Sequence, residues 1–171
     1  MINDLKKIIS MPTILCEGEN GTPFGVAIAD ALHWFADRAK ELGLNSYYNQ
    51  YYAYAETTDG DENDMIGVAA HLDVVPVNAA DWNTNPFELV DKNGILYGRG
   101  VADDKGPAIV CLHVLAELNM FKLKHNVRII VGGDEETSSR GLKKYCKEQK
   151  LPVCSLVPDA DFPLINSEKG I

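Results

Sequence analysis

No stretch of this chain approaches the roughly 18–20 consecutive apolar residues that a membrane-spanning helix needs. The opening MINDLKKIIS has neither a long apolar centre nor a small-residue cleavage site. A secretory leader is therefore not expected, and a cytoplasmic location is. There is no CxxC pair either: Cys16, Cys111, Cys146 and Cys154 are scattered, which speaks against a zinc knuckle and suits a reducing compartment. Positive charge is scarce. Lys and Arg number 16 against 25 Asp and Glu, a formal net charge of −9, which argues against nucleic acid or an anionic membrane surface as the main partner. Two loop motifs are incomplete. The acidic run 58–63 (TDGDEN) lacks the alternating acids and closing Glu of an EF-hand and is read as a turn. GRGVAD at 98–103 begins like a dinucleotide-binding GxGxxG but carries Asp103 at the sixth place, without the strand–turn–helix around it.

What the chain does have is 171 residues, 46% hydrophobic and 24% charged, enough for one domain with a substantial core. Ile2, Leu5, Ile8 and Ile9 share a helical face and predict a short helix over 3–10, stopped by Pro12. Thr22-Pro23 reads as the cap and first position of a longer helix. Its apolar residues Phe24, Ile28, Leu32, Phe35, Ala39 and Leu42 recur at three- and four-residue steps up to Gly43. Residues 44–57 carry five tyrosines around Asn49-Gln50 and predict two short strands. Runs without polar alternation at 65–70 and 127–133 predict strands buried on both faces. A third short strand is expected at 153–157, a hairpin turn at 91–94, helices at 107–119 and from Thr137 or Ser138 to about Glu148, and the start of a last element within 162–171. This order predicts an α/β fold with helices on both faces of the sheet. Ligands in such folds collect at the carboxyl ends of strands.

Those ends are where the chemistry gathers. The first buried strand closes on His71 and Asp73, whose i, i+2 spacing projects both side chains to one face. A carboxylate beside an imidazole leaves the far ring nitrogen free for a metal. The second strand runs into Glu135-Glu136, the third into Asp159, and Asp103 stands at the start of a helix. One imidazole and several carboxylates around one point suit a two-metal hydrolase, in which water near the cations loses its proton close to neutral pH. Asp103, with two oxygens, is the candidate to bridge the cations. One of Glu135 and Glu136 can bind metal while its neighbour acts as general base and then acid. His33 and His113 fit no such pattern and are read as structural.

Together, HLDVVP (71–76), GRGVADDKGP (98–107), GDEET (133–137) and VPDADFP (157–163) resemble the M20 metallopeptidases. Within that family they look most like the PepV-type dipeptidases, related to carnosinase and Xaa-His dipeptidases. GTPFG (21–25), DWNTNPFELV (81–90) and SEKGI (167–171) resemble the same group. The resemblance implies a three-layer α/β sandwich with a mostly parallel mixed sheet, a zinc-exopeptidase-like (phosphorylase/hydrolase-like) catalytic domain, and dipeptides or small peptides as substrates. It implies that His71 binds a first zinc with Asp73 orienting its ring, and that Asp103 bridges both metals with a cis peptide to Asp104. Glu135 would be the general base and acid, Glu136 a ligand of the second zinc and Asp159 of the first. Cobalt or manganese suit the same ligands. Family members add a lid or dimerisation domain and a late metal-binding His. Residues 1–171 contain neither, and His125 matches no motif, so they are expected to be the N-terminal portion of the catalytic domain, with weakened metal binding and hydrolysis. An N-acyl amino acid deacylase of the same superfamily and a non-catalytic fragment with a binding or assembly role are the alternative readings. An uncovered sheet edge is expected to favour homo-oligomers.

Overall fold

Tyr52-Ala53-Tyr54-Ala55 alternates large and small side chains, and in a strand that alternation sorts them onto opposite faces. The layering of the molecule follows from it. The computed structural model describes residues 1–159; the element expected within 162–171 lies outside them. In chain order the elements are α1 (Ile2–Ile9), α2 (Val26–Glu41), β1 (Asn45–Tyr48), β2 (Tyr52–Glu56), β3 (Asp61–His71), β4 (Val90–Lys92), β5 (Ile95–Tyr97), α3 (Lys105–Leu118), β6 (His125–Gly132), α4 (Arg140–Glu148) and β7 (Cys154–Leu156). Five strands make one mixed sheet in the order β1-β2-β6-β3-β7, and β4-β5 form a separate hairpin. The centre is parallel, β3 running with both β6 and β7, while β2 is antiparallel to β6 and to β1.

Ala53, Ala55, Ala70, Ile129 and Val131 point to one face and pack with Ile8 of α1, Phe35 of α2 and Leu112 of α3 in the main core. Small alanines on the strands let these helices approach. Each fully buried Leu, Ile or Phe there contributes about 1.5–3 kcal/mol, so this face supplies most of the apolar stabilisation. Asp4 ties the three helices at their rim: its carboxylate accepts from Arg38 Nε at 3.0 Å and lies 2.7 Å from His113 Nε2. On the opposite face Tyr52 and Ile130 meet Tyr145 of α4. Arg128 lies over the Tyr54 ring, 4.1 Å from its centroid, and pairs with Glu56. The result is the expected three-layer sandwich. No helix among the described residues is long and apolar enough to cross a membrane.

Element types agree with the sequence reading, and three of the boundaries that differ have an identifiable cause. Helix α2 begins at Val26, not at Thr22-Pro23, because Glu19 reaches forward and its Oε2 accepts the Val26 N–H at 3.0 Å. The Thr22 hydroxyl turns back to the Glu19 carbonyl instead. The acidic run 58–63 is only partly a turn: from Asp61 it enters β3, where Asp61 N–H bonds Lys124 O and the residue pairs with His125. Helix α4 starts at Arg140, capped by neither Thr137 nor Ser138, since the Asp134 carboxylate accepts the N–H groups of both Arg140 and Gly141.

Gly141 shows how closely α4 sits. A Cβ there would lie 2.3 Å from the Tyr51 carbonyl oxygen. Alanine gains at most about 1 kcal/mol of helix propensity, whereas overpacking against fixed backbone costs about 1–3 kcal/mol. Gly141→Ala is therefore expected to lower stability by about 1–2 kcal/mol, seen as a lower urea midpoint at unchanged slope. At the sheet's other side, the three β7 residues are exposed, Leu156 at 61%, with Val153 and Val157 beside them. Such an apolar edge strand invites pairing. Residues 1–171 alone are expected to self-associate as concentration rises, and sedimentation velocity across a dilution series checks this.

Candidate metal centre

Beyond β3 the chain stays extended, held from both sides. Leu72 N–H bonds Gly132 O at the end of β6, and the fully buried Thr13 donates its hydroxyl to Leu72 O. His71 and Asp73 thus leave the sheet edge in fixed register. Both are buried. Asp73 accepts two main-chain hydrogen bonds, Glu135 N–H to Oδ1 and Glu136 N–H to Oδ2, each 3.0 Å. One carboxylate therefore sets where the glutamate pair stands relative to the strand that carries His71. On the imidazole side, Nδ1 lies 3.1 Å from the Asp73 carbonyl oxygen and 3.4 Å from Asp73 Oδ1.

The opposite ring nitrogen decides what the site is suited to. His71 Nε2 is buried, the residue being 1% exposed, and has no hydrogen-bond partner. Around it stand Asp103 Oδ1 at 3.0 Å, Asp159 Oδ2 at 3.4 Å and Glu135 Oε2 at 3.8 Å. Buried polar atoms are rarely left without partners, and an imidazole ringed by carboxylate oxygens is the donor set of a divalent cation. Two groups could hold one, His71 with Asp103 and Glu136, and His71 with Asp104 and Asp159; within each group the ligand atoms lie within 4.8 Å of one another. All the residues singled out in the sequence, His71, Asp73, Asp103, Glu135, Glu136 and Asp159, come to one place. His33, His113 and His125 pair instead with Asp37, Asp4 and Asp64, and none joins these groups.

Two acids here were not assigned by sequence reasoning. Asp104, linked to Asp103 by a cis peptide as the resemblance implied, is fully buried. Its Oδ2 accepts the His71 N–H at 3.0 Å, and its Oδ1 has no partner. Asp134, also fully buried, organises the loop that presents Glu135 and Glu136. Its carbonyl accepts the N–H groups of Ser138 and Ser139, and its carboxylate caps α4 and takes Arg140 Nε at 2.9 Å. The one signal for either in the sequence was adjacency to residues already under suspicion.

The charges explain what a cation would relieve. Burial pulls the His71 imidazole towards neutrality, but Asp73, Asp104 and Glu135 outweigh it and lift the pKa to about 10. Burial raises the Asp104 carboxyl to about 7, against the opposing pull of the His71 N–H. The Glu136 carboxyl is also raised, by burial first and by Asp103 next. Without metal, His71 is therefore protonated at neutral pH, and a cation must displace that proton. Affinity is expected to increase with pH up to about 10. At pH 7, uptake is expected to release about one proton from the imidazole. Titration calorimetry in buffers of different ionisation enthalpy measures that proton directly.

A model described as "Peptidase family M20/M25/M40" matches residues 67–171. The chain is 35% identical over 177 residues to a Bacillus subtilis (strain 168) protein named "Putative dipeptidase YtjP", covering 100% of this chain and 37% of that protein. A Staphylococcus epidermidis (strain ATCC 12228 / FDA PCI 1200) protein named "Putative dipeptidase" is 33% identical over 175 residues with the same coverage. The chain thus spans little more than a third of the length of these curated relatives. Human carnosine dipeptidase 1 superposes with a TM-score of 0.77 at 23% identity, covering 94% of this chain and 38% of that one. The M20 family metallo-carboxypeptidase Sso-CP2 of Sulfolobus solfataricus superposes with a TM-score of 0.74 at 22% identity, covering 93% and 37%. These two show the likeness of fold. Because the family match extends over more than half of the chain and takes in every ligand candidate from His71 to Asp159, the chain belongs to peptidase family M20/M25/M40.

Proposed function

We propose that residues 1–171 are the N-terminal portion of the catalytic domain of a metal-dependent dipeptidase. The observation that carries the reading is the buried, unpartnered Nε2 of His71 with three carboxylate oxygens between 3.0 and 3.8 Å of it. His71, Asp103 and Asp159 would hold one cation; Asp103 and Glu136 would hold a second, with Asp103 shared between them. Zinc suits these nitrogen and oxygen donors. When bound, such cations supply Lewis acidity towards the scissile carbonyl and lower the pKa of water.

The chain's own groups do the rest. Asp73 holds the imidazole ring by its Nδ1 side and, through the N–H groups of Glu135 and Glu136, keeps both glutamates at a set distance from it. Glu135 is 42% exposed and has room to meet substrate. It would take the proton from the attacking water and deliver it to the amine nitrogen as the C–N bond breaks. The preference for dipeptides rests on the names of the relatives at 35% and 33% identity. The two cations would not be held equally. Three protein ligands with one open position is a common catalytic zinc set, and the first cation has three; the second has two. Metal binding at the second position, and hydrolysis by residues 1–171 alone, are accordingly weak.

Calorimetric titration with Zn2+ is expected to show one site and a second about tenfold or more weaker. His71→Ala is expected to remove the tighter one. Glu135→Gln should keep metal uptake while cutting dipeptide hydrolysis by about 10²–10⁴-fold. Uptake that survives His71→Ala would sink the ligand assignment. Faster turnover of N-acetyl amino acids than of dipeptides would move the activity to deacylation.

A further inference from the structure

Residues 8–13, from the last turn of α1 to the loop before α2, connect the two segments that carry His71 and Asp103. On one side lies Thr13, fully buried. Its hydroxyl donates to Leu72 O at 2.6 Å and its carbonyl accepts Val74 N–H at 3.0 Å. These two bonds bracket Asp73 and begin one residue after His71. On the other side lies Lys105, the first residue of α3, directly after Asp103-Asp104 and also fully buried. Its Nζ donates to Ile8 O at 3.1 Å and to Met11 O at 2.7 Å. The path of the lysine stem is kept open by Gly100, where φ is +87° and a Cβ would lie 2.9 Å from Lys105 Cδ.

A buried ammonium is costly. Lys105 is held away from water, with its Nζ on two main-chain carbonyls. An apolar side chain of similar length would fill the same space without that desolvation. What an apolar side chain cannot do is hold two carbonyls of the 8–13 segment against the first turn of α3, as the Lys105 amino group does.

We propose that Thr13 and Lys105 are positioning residues of the metal centre: through the 8–13 segment they hold the strand end carrying His71 and the turn carrying Asp103 at a fixed separation. That separation is 3.0 Å between His71 Nε2 and Asp103 Oδ1. The proposal rests on the metal reading above, and neither residue touches the cation itself. It distinguishes the segment from ordinary scaffold, because a scaffold residue changes stability and not the ligand field.

The test is titration of residues 1–171 with Co2+ alone, followed by the visible ligand-field absorption, beside thermal unfolding of the metal-free protein. Thr13→Val removes the hydroxyl at constant shape, Thr13→Ser keeps it, and Lys105→Met removes the ammonium at similar volume. Thr13→Val and Lys105→Met are expected to bind Co2+ about 10–100-fold more weakly, with an altered visible band. Thr13→Ser should match the parent in both. Metal-free Lys105→Met should unfold no earlier than the parent. If it does not fold, the Thr13 pair decides. Equal affinity and spectrum in Thr13→Val and the parent would overturn the proposal. So would weakening that only follows lost metal-free stability. A parent chain that takes up no Co2+ would overturn the metal reading and this proposal with it, whereas uptake by the parent with unaffected variants would overturn this proposal alone.

Discussion

The arrangement of the whole site turns on one electrostatic problem, an imidazole taken out of water with six carboxylates around it. Two like charges 4 Å apart repel by about 4 kcal/mol at the effective dielectric typical of a protein surface, and here Asp103 and Glu136, and Asp104 and Asp159, bring carboxylate oxygens within 4.8 Å of one another. The protein divides them into two classes. The inner acids accept main-chain amides: Asp73 from Glu135 and Glu136, and Asp104, through Oδ2, from His71. These acids are buried and serve the geometry. The outer acids, Asp103 at 56% exposed and Glu135 at 42%, have no such amides assigned to them and face the opening. Positive charge is thus wanted at one place, between His71 Nε2 and the outer carboxylates. In the absence of metal the proton on the ring supplies part of it.

How far this could be read from the sequence depended on the distance along the chain over which each cause acts. His71 and Asp73 were legible because two residues of extended chain place side chains on the same face. Glu135-Glu136 was legible because a buried strand ran directly into it. Strand and helix types were legible because period-2 and period-3.6 patterns are local. The boundaries failed where the capping group came from afar. Capping rules look to the residue at the helix start, but Glu19 acts seven residues ahead of Val26 and Asp134 six ahead of Arg140. The supporting residues were further out of reach: Thr13 meets Leu72 across 59 residues, Asp104 meets His71 across 33 and Lys105 meets Ile8 across 97. Spacing alone could gather the acids into one site. The bridging role of Asp103 was argued from its two oxygens, whereas the separate roles given to Glu135, Glu136 and Asp159 came from the family resemblance.

The parallel centre of the sheet accounts for the location. Because β3 runs with β6 and β7, the carboxyl ends of all three open on one edge, and the chain leaving each brings an acid there: Asp73 after β3, Glu135 after β6, Asp159 after β7. The antiparallel β2 reaches that edge with its amino end, Tyr52 beside Gly132, and contributes packing instead: the preceding residue's carbonyl presses on Gly141 of α4. Of the ligands proposed for the first cation, His71 and Asp159 are thus close to a direct product of strand direction. Asp103, proposed as the shared ligand, is not, since it arrives on a turn before α3, and Glu136, proposed for the second, stands one residue beyond the general-base candidate. The sheet side of the pocket is already filled by His71, Asp73 and Asp104, all buried. Among the described residues, the side left open to a third protein ligand for the proposed second cation is the rim on which Asp103 and Glu135 lie exposed. On the proposed reading substrate would enter by the same rim, so completing the second metal position and closing over the substrate would be coupled by geometry.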